Sequence, residues 1–373
     1  MSVLINGIMA ITIKQLVMWI IGAALIYLAI KKEYEPALLL PMGFGAILVN
    51  IPLSGALDQV INGSHVEGIL TFLFKGGIAT ELFPLLIFIG IGAMIDFGPL
   101  LQNPFMLLFG AAAQFGIFFT ICLAAFAGFS LKNAAAIGII GAADGPTSIY
   151  VANQFAKDLL GPISVAAYSY MALVPIIQPF AIKLVTTKKE RQIRMTYKAE
   201  KVSKTTKIIF PIVVTIIAGL IAPVSVPLIG FLMFGNLLRE CGVLERLSNS
   251  AQNELVNIIT ILLGITIAST MTADRFLTYK TILIMGMGLI AFIFDTIGGV
   301  LFAKFLNLFL KEKINPMVGA AGISAFPMSA RVIQKMAQKE DNQNFILMYA
   351  IGANVAGQIG SVIAGGLVLA LLM

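Results

Sequence analysis

Apolar residues in this chain come in solid runs and not in alternation. Leu16–Ile30, Phe105–Phe126, Ile208–Ile221 and Ile282–Phe294 are the clearest of them. A helix needs roughly 20 such residues to cross a hydrocarbon core about 30 Å thick. A membrane-spanning strand would instead show a period of two. Spanning segments are predicted near residues 11–30, 36–52, 80–98, 104–129, 161–185, 207–222, 223–241, 255–273, 281–307 and 343–372. Two further stretches, near 132–156 and 315–333, are too interrupted for plain helices. Gly138, Gly141, Gly145 and Pro146 break the first; Pro316, Gly319, Gly322 and Pro327 break the second. Broken backbone is tolerated at membrane depth only where protein or a wet cavity satisfies the freed polar groups. Both stretches are therefore read as re-entrant hairpins.

The two broken stretches resemble each other. GIIGAADGPTSIYV (138–151) lies over GAAGISAFPMSARV (319–332) without a gap, and Tyr168 then meets Tyr349 at the same offset. Upstream, MGFGAILVN (42–50) echoes FLMFGNLLRE (231–240). Chance likeness among small apolar residues is the competing reading. Five crossings plus one hairpin per half is an odd number, so the halves would insert in opposite orientations. The expected fold is an all-α polytopic membrane protein. It has about ten spanning helices plus two re-entrant broken hairpins in two inverted repeats. Residues 1–182 form the first repeat, 183–206 a basic linker and 207–373 the second repeat. Interrupted segments at corresponding places in two halves point to a transporter's midplane site.

Composition removes other classes. Hydrophobic residues make up 59% and charged residues only 12%, about half the charge of an average soluble chain. The net charge of +7 is concentrated in one place, with nine basic and two acidic residues between Lys183 and Lys207. A basic loop between spanning segments is placed in the cytoplasm by the positive-inside rule. Anionic lipid or a soluble partner is its other expected contact; nucleic acid is not. That assignment puts both termini outside and gathers Lys311, Lys313, Arg331, Lys335 and Lys339 on the cytoplasmic face. No cleavable leader is read before the first run. Cys122 and Cys241 are too few for a disulfide framework. His65 is the single histidine, and no HExxH, P-loop or CxxC motif is present.

Ionisable groups at bilayer depth are costly and functional by default. Asp144, in GAADGPT, has two readings. One is a cation ligand beside freed carbonyls, a hard-oxygen set suited to alkali ions. The other is an N-cap to the half-helix that starts near Pro146. Asn315, Ser324 and Ser329 in the second stretch, with Asn354 and Gln358 in the last helix, offer neutral oxygens suited to Na⁺. Arg331 is read either as a snorkelling anchor or as a bidentate receptor for a carboxylate or bicarbonate-like anion. Tyr168 and Tyr170 are read as interfacial residues or as hydrogen-bond donors in the pocket. Asp96 and Asp295 are weaker candidates for supporting or gating roles.

GAADGPTSIY (141–150), AYSYMALVPIIQP (167–179), NPMVGAAGISAFPMSAR (315–331), GANVAGQIGSVIAGG (352–366) and IGAMIDFGPLLQNP (91–104) together resemble one family over nearly the whole chain. It is the β subunit family of the sodium-transporting, biotin-dependent decarboxylases. The family includes the oxaloacetate, methylmalonyl-CoA, glutaconyl-CoA and malonate decarboxylase types; the chain resembles its shorter members, the oxaloacetate type being longer at its N-terminal end. The resemblance implies that the chain decarboxylates carboxybiotin, consumes a proton and exports Na⁺. It also implies an inner-membrane complex with a carboxyltransferase α subunit, a biotin carrier subunit, a small γ/δ membrane subunit and further copies of itself. Carried over by position, the family's functional residues fall on Asp144, Tyr170, Asn315, Gly319, Ser324, Arg331 and Asn354. Asp144, Asn315, Ser324 and Asn354 would meet the cation. Arg331 and Gly319 would meet carboxybiotin, and Arg331, Tyr170, Ser324 and Asp144 would serve the reaction. The chain carries no Ala/Val-Met-Lys-Met biotinylation motif, so biotin must arrive on a partner. A stand-alone Na⁺-coupled anion symporter and a passive membrane anchor are the competing functions.

Overall fold

The computed structural model describes residues 7–61, 63–196 and 201–373. Lys198 and Glu200 of the basic linker lie outside the described residues. The helices that build the bundle are, in order, α1 (Ile13–Lys32), α2 (Pro36–Val49), α3 (Leu82–Met94), α4 (Leu107–Ala112), α5 (Phe115–Phe126), α6 (Leu131–Gly138), α7 (Gly145–Phe155) and α8 (Leu160–Ala172). They continue with α9 (Val174–Val185), α10 (Lys204–Ile221), α11 (Val226–Glu240), α12 (Val256–Ile267), α13 (Tyr279–Leu306), α14 (Met317–Ala320), α15 (Met328–Glu340) and α16 (Leu347–Leu372). The sole sheet among the described residues is a small antiparallel hairpin, Gln59–Ile61 with Ser64–Val66.

Local chemistry sets the helix ends. Thr12 opens α1 with a capping box: its hydroxyl accepts from Gln15 N–H, and Gln15 Oε1 accepts from Thr12 N–H, so two orphan donors are satisfied at once. Ser203 caps α10 with a single bond, its hydroxyl accepting from Thr206 N–H at 3.0 Å.

Among the described residues, six helices are long and apolar enough to cross a membrane, or up to eight spans if each bent helix pair counts as one. The chain is a multi-pass α-helical membrane protein. The expected count of ten is not confirmed by length and composition. Segments 80–98 and 161–185 belong to pairs bent by 57° and 73°. The segments expected at 36–52 and 223–241 form helices of only 14 and 15 residues. At 1.5 Å per residue these are about 21–23 Å long, short of a full hydrocarbon core. Hydropathy reports apolar length and not where a bend cuts it.

Helices inside lipid gain nothing from the hydrophobic effect, so they associate by close packing at small residues. A Cβ added to Gly92 of α3 would lie 1.8 Å from Leu232 O, and one on Gly235 of α11 would lie 1.9 Å from Ile89 O. These two backbones therefore touch. α2 is packed between α1 and α12, while α10 presents Ile212, Ile216 and Leu220 outward. α16 is the most enclosed of the six long helices, and it runs past both broken segments.

One end of the molecule gathers the linker charges. Lys304 of α13 reaches Glu190 at 3.0 Å, Arg191 reaches Glu340 at 2.8 Å, and Arg194 holds Asp341 through two bonds of 2.6 and 3.0 Å. The Arg194 bonds and the Gln343 N–H hold the Asp341 carboxyl below its ordinary range. A depressed carboxyl stabilises the fold above its unfolded pKa, and that support is lost as pH falls through the lowered value. Asp96, at the same end, faces Lys207 at 3.2 Å and Arg239 at 4.0 Å. It is an ion-pair residue of the surface and not part of the site described next.

Candidate functional site

The first broken segment runs as α6, a 3₁₀ turn at Ile139–Ala142, and then α7. Between turn and helix, Ala143 takes a left-handed φ of +54°, which a non-glycine residue adopts only where its surroundings hold it. Asp144 follows in extended conformation and caps α7, with Pro146 in the first turn. Its Oδ1 accepts from Thr147 N–H at 3.4 Å. Its Oδ2 accepts from Thr147 Oγ1 at 2.7 Å, Gln358 Nε2 at 3.0 Å and Ser361 Oγ at 3.0 Å. The capping reading of Asp144 is thus correct, and it leaves Oδ1 with lone-pair capacity to spare.

The second segment comes to the same place. It runs as α14, an irregular stretch over 321–327, and α15. Ser324 N–H donates to Ala142 O at 3.1 Å, so the two breaks are hydrogen-bonded to each other. Ser324 Oγ donates to Gly357 O at 3.1 Å, and Asn354 Nδ2 donates to Ile323 O at 2.6 Å. Asn354 Oδ1 is buried and accepts nothing. Asn354, Gln358 and Ser361 stand at i, i+4 and i+7 on one face of α16. That face closes over Asp144, which is 3% exposed. No Lys, Arg or His touches this carboxylate among the described residues. A buried carboxylate without a cation is expensive. One carboxylate with hydroxyl, amide and carbonyl oxygens is a donor set for a monovalent cation. No three His, Cys, Asp or Glu side chains converge among the described residues, so the set is not one for a transition metal.

Other expected residues lie elsewhere. Asn315 is fully buried, but its Nδ2 donates to Arg191 O and Ile193 O at 2.9 Å each and its Oδ1 accepts from Met317 N–H. It faces the linker, away from Asp144. Gly319 is pressed on Gly299 of α13: an added Cβ would sit 2.0 Å from Gly299 O. Tyr170 O–H donates to Met285 O of α13 and its ring covers Gly288. Tyr168 is the tyrosine at the site. Its ring lies on Gly145, where a Cβ would be 2.2 Å from Cζ, and its hydroxyl is buried without a partner. Positions two apart point to nearly opposite sides of a helix, so only one tyrosine of the pair can face Asp144. Ser329 accepts from Gln178 Nε2 at 2.7 Å. Asp295, in the middle of α13, reaches the first turn of α5 and accepts from Ile117 N–H at 3.1 Å. Thr147 and Ser361 were not anticipated; the third helical position after an Asp cap and the i+7 step beyond Asn354 were signals for them.

A groove of about 370 Å³ opens between α9 and α15, lined by Lys183, Arg331, Lys335, Lys339 and Glu340 among others. Arg331, Lys335 and Lys339 follow at four-residue steps on one face of α15. None of these four cations is in an ion pair among the described residues, whereas Glu340 is held by Arg191. Arg331 belongs to the first turn of α15, directly after the break that carries Ser324. The cationic groove thus begins on the helix that follows the break at Ser324.

Residues 14–372 match the family model described as the Na⁺-transporting oxaloacetate decarboxylase beta subunit. The chain is 50% identical to the methylmalonyl-CoA decarboxylase subunit beta of Propionigenium modestum, over 98% of this chain and 97% of that protein. It is 50% identical to the glutaconyl-CoA decarboxylase subunit beta of Acidaminococcus fermentans, over 98% and 96%. Identity to the oxaloacetate decarboxylase beta chain of Klebsiella pneumoniae is 46%, over 97% and 96%. With a carboxylate buried at the junction of two broken helices and this likeness along its whole length, the chain belongs to the Na⁺-transporting decarboxylase beta subunit family.

Proposed function

We propose that this chain decarboxylates carboxybiotin delivered by a partner and couples the loss of CO₂ to Na⁺ export across the cytoplasmic membrane, consuming one proton. The observation that carries the reading is the pairing of two sites across one break. Asp144 with its oxygen-rich surround forms one, and the unpaired groove cations beginning at Arg331 form the other. The cation site comprises Asp144, Ser324 and Asn354, with Thr147, Gln358 and Ser361 orienting the carboxylate. Na⁺ bound there neutralises a charge that no protein cation reaches. Cleaving the C–N bond of an N-carboxylated urea leaves the electron pair on nitrogen, which takes up a proton. Arg331 contributes a planar fork that fits a carboxylate bidentately, and Lys335 and Lys339 supply attraction along the approach.

The partners in this reading are a carboxyltransferase α subunit, a biotin carrier subunit, a small γ/δ membrane subunit and further copies of this chain. Two inverted repeats, residues 1–182 and 207–373, are the architecture we infer. Its support is reciprocal contact: Gln178 of α9 donates to Ser329 of the second broken segment, while Gln358 of α16 donates to Asp144 of the first.

Replacing Arg331 by Lys keeps the charge and removes the fork. In the reconstituted complex this is expected to raise the carrier concentration at half-maximal rate about tenfold, the equivalent of ~1.4 kcal/mol. The Na⁺ half-saturation should not move. A stand-alone symporter would instead drive solute uptake in liposomes from this chain alone, without a biotin carrier, and that result would displace the proposal.

A further inference from the structure

The linker is strapped across the end of the second half by two asparagines that grip the same pair of carbonyls. Asn315 Nδ2 donates to Arg191 O and Ile193 O at 2.9 Å, and Asn344 Nδ2 donates to the same two oxygens at 3.2 Å. Both side chains are fully buried. Around this grip, Gln192 Nε2 donates to Glu340 O at 2.9 Å, and Asn315 N–H points at Met195 Sδ at 3.3 Å. The strap is tied in turn to the groove helix. Asn344 O accepts from Gln334 Nε2 at 3.2 Å, and Gln334 Oε1 accepts from Ile346 N–H at 2.9 Å. Gln334 belongs to α15, next to Lys335 and one turn after Arg331. Arg191 also neutralises Glu340, the acidic residue of the groove lining.

We propose that Asn344 is a positioning residue for the decarboxylation step. Together with Asn315 it clamps the linker so that Arg331 and Lys335 are held on a fixed, net-cationic groove wall. Asn315 acts through this clamp and not as a ligand of the transported ion. The proposal rests on the reading of the groove as the carboxybiotin site; the clamp itself is open to measurement without turnover.

The test uses the full complex in proteoliposomes, with Asn344→Asp, Asn315→Asp and the double variant. Asp keeps the shape and removes the N–H donors. Each single variant is expected to lower the maximal rate roughly tenfold, as for loss of one buried pair of hydrogen bonds. Na⁺ half-saturation should stay at the wild-type value. Trypsin should cut the linker at Lys188, Lys189 or Arg194 faster in each variant. The double variant should be no worse than either single one, because one clamp is lost in all three. Arg194→Gln, on the surface, loosens the same strap without touching the buried asparagines; it removes one trypsin site and should speed cleavage at Lys188 and Lys189. Full activity in Asn344→Asp would overturn the proposal. So would a large rise in Na⁺ half-saturation for Asn315→Asp with linker cleavage unchanged, which would return Asn315 to the cation. If wild-type complex shows no Na⁺-dependent turnover, the functional reading fails, and the cleavage assay still decides whether the clamp exists.

Discussion

Asp144→Asn is expected to lower Na⁺-dependent turnover by at least about a hundredfold, the scale of ~3 kcal/mol for removing one member of a buried charge pair. The fold should survive this change. Asn is as good an N-cap as Asp, and its side-chain oxygen can still accept from Thr147, Gln358 or Ser361. What disappears is the single charge that, in the proposed function, balances the ion. The effect is separable from misfolding by thermal unfolding. Wild-type protein should be stabilised as Na⁺ is raised, because a ligand that binds only the native state raises its stability by mass action. Asp144→Asn should unfold at the same temperature with or without Na⁺. Thr147→Val and Ser361→Ala, which remove one donor each, should be milder and should mainly weaken Na⁺ affinity.

Gly319→Ala carries the second large expectation. The added methyl would meet Gly299 O at 2.0 Å and Gly299 C at 2.6 Å, and both are backbone atoms of a 28-residue helix. Neither can rotate away, so α14 must move off α13 and take the break at Ser324 with it. Overpacking of this kind costs about 1–3 kcal/mol, and displacement of the break should remove most of the activity. The resemblance alone would make Gly319 a contact to carboxybiotin. Gly299→Ala separates the two accounts, since its Cβ would lie 2.1 Å from Gly319 O across the same interface. Matching losses in Gly299→Ala and Gly319→Ala, with carrier affinity unchanged, are the outcome of packing. A silent Gly299→Ala would assign Gly319 to the cofactor.

Much of the site could be read from residue types, and the reasons are local. Asp-Gly-Pro encodes a cap and a helix start within three residues, so Asp144 was placed correctly at a break. Asn354 and Gln358 share a face by spacing alone. Asn315 was different, because its partners are main-chain carbonyls more than 120 positions earlier and carry no side-chain signature. Residue type alone left Tyr168 and Tyr170 unranked and the resemblance pointed to Tyr170; the rotation of α8 sets Tyr168 on Gly145. Ten spans are not confirmed by helix length and composition alone. Apolar composition continues through Pro223 and through the bend after Ala172, although the helices do not. Gly92 and Gly235 read as ordinary small residues until their contact placed two backbones together.

The central claim is that decarboxylation on this chain moves Na⁺ through the Asp144 site. The most direct measurement is accumulation of radioactive Na⁺ in proteoliposomes holding the full complex, started by adding the carboxylic acid substrate. Wild-type complex should accumulate Na⁺ in step with CO₂ release, and complex with Asp144→Asn should do neither. CO₂ release at an unchanged rate without Na⁺, or undiminished Na⁺ uptake by the Asp144→Asn complex, would contradict it.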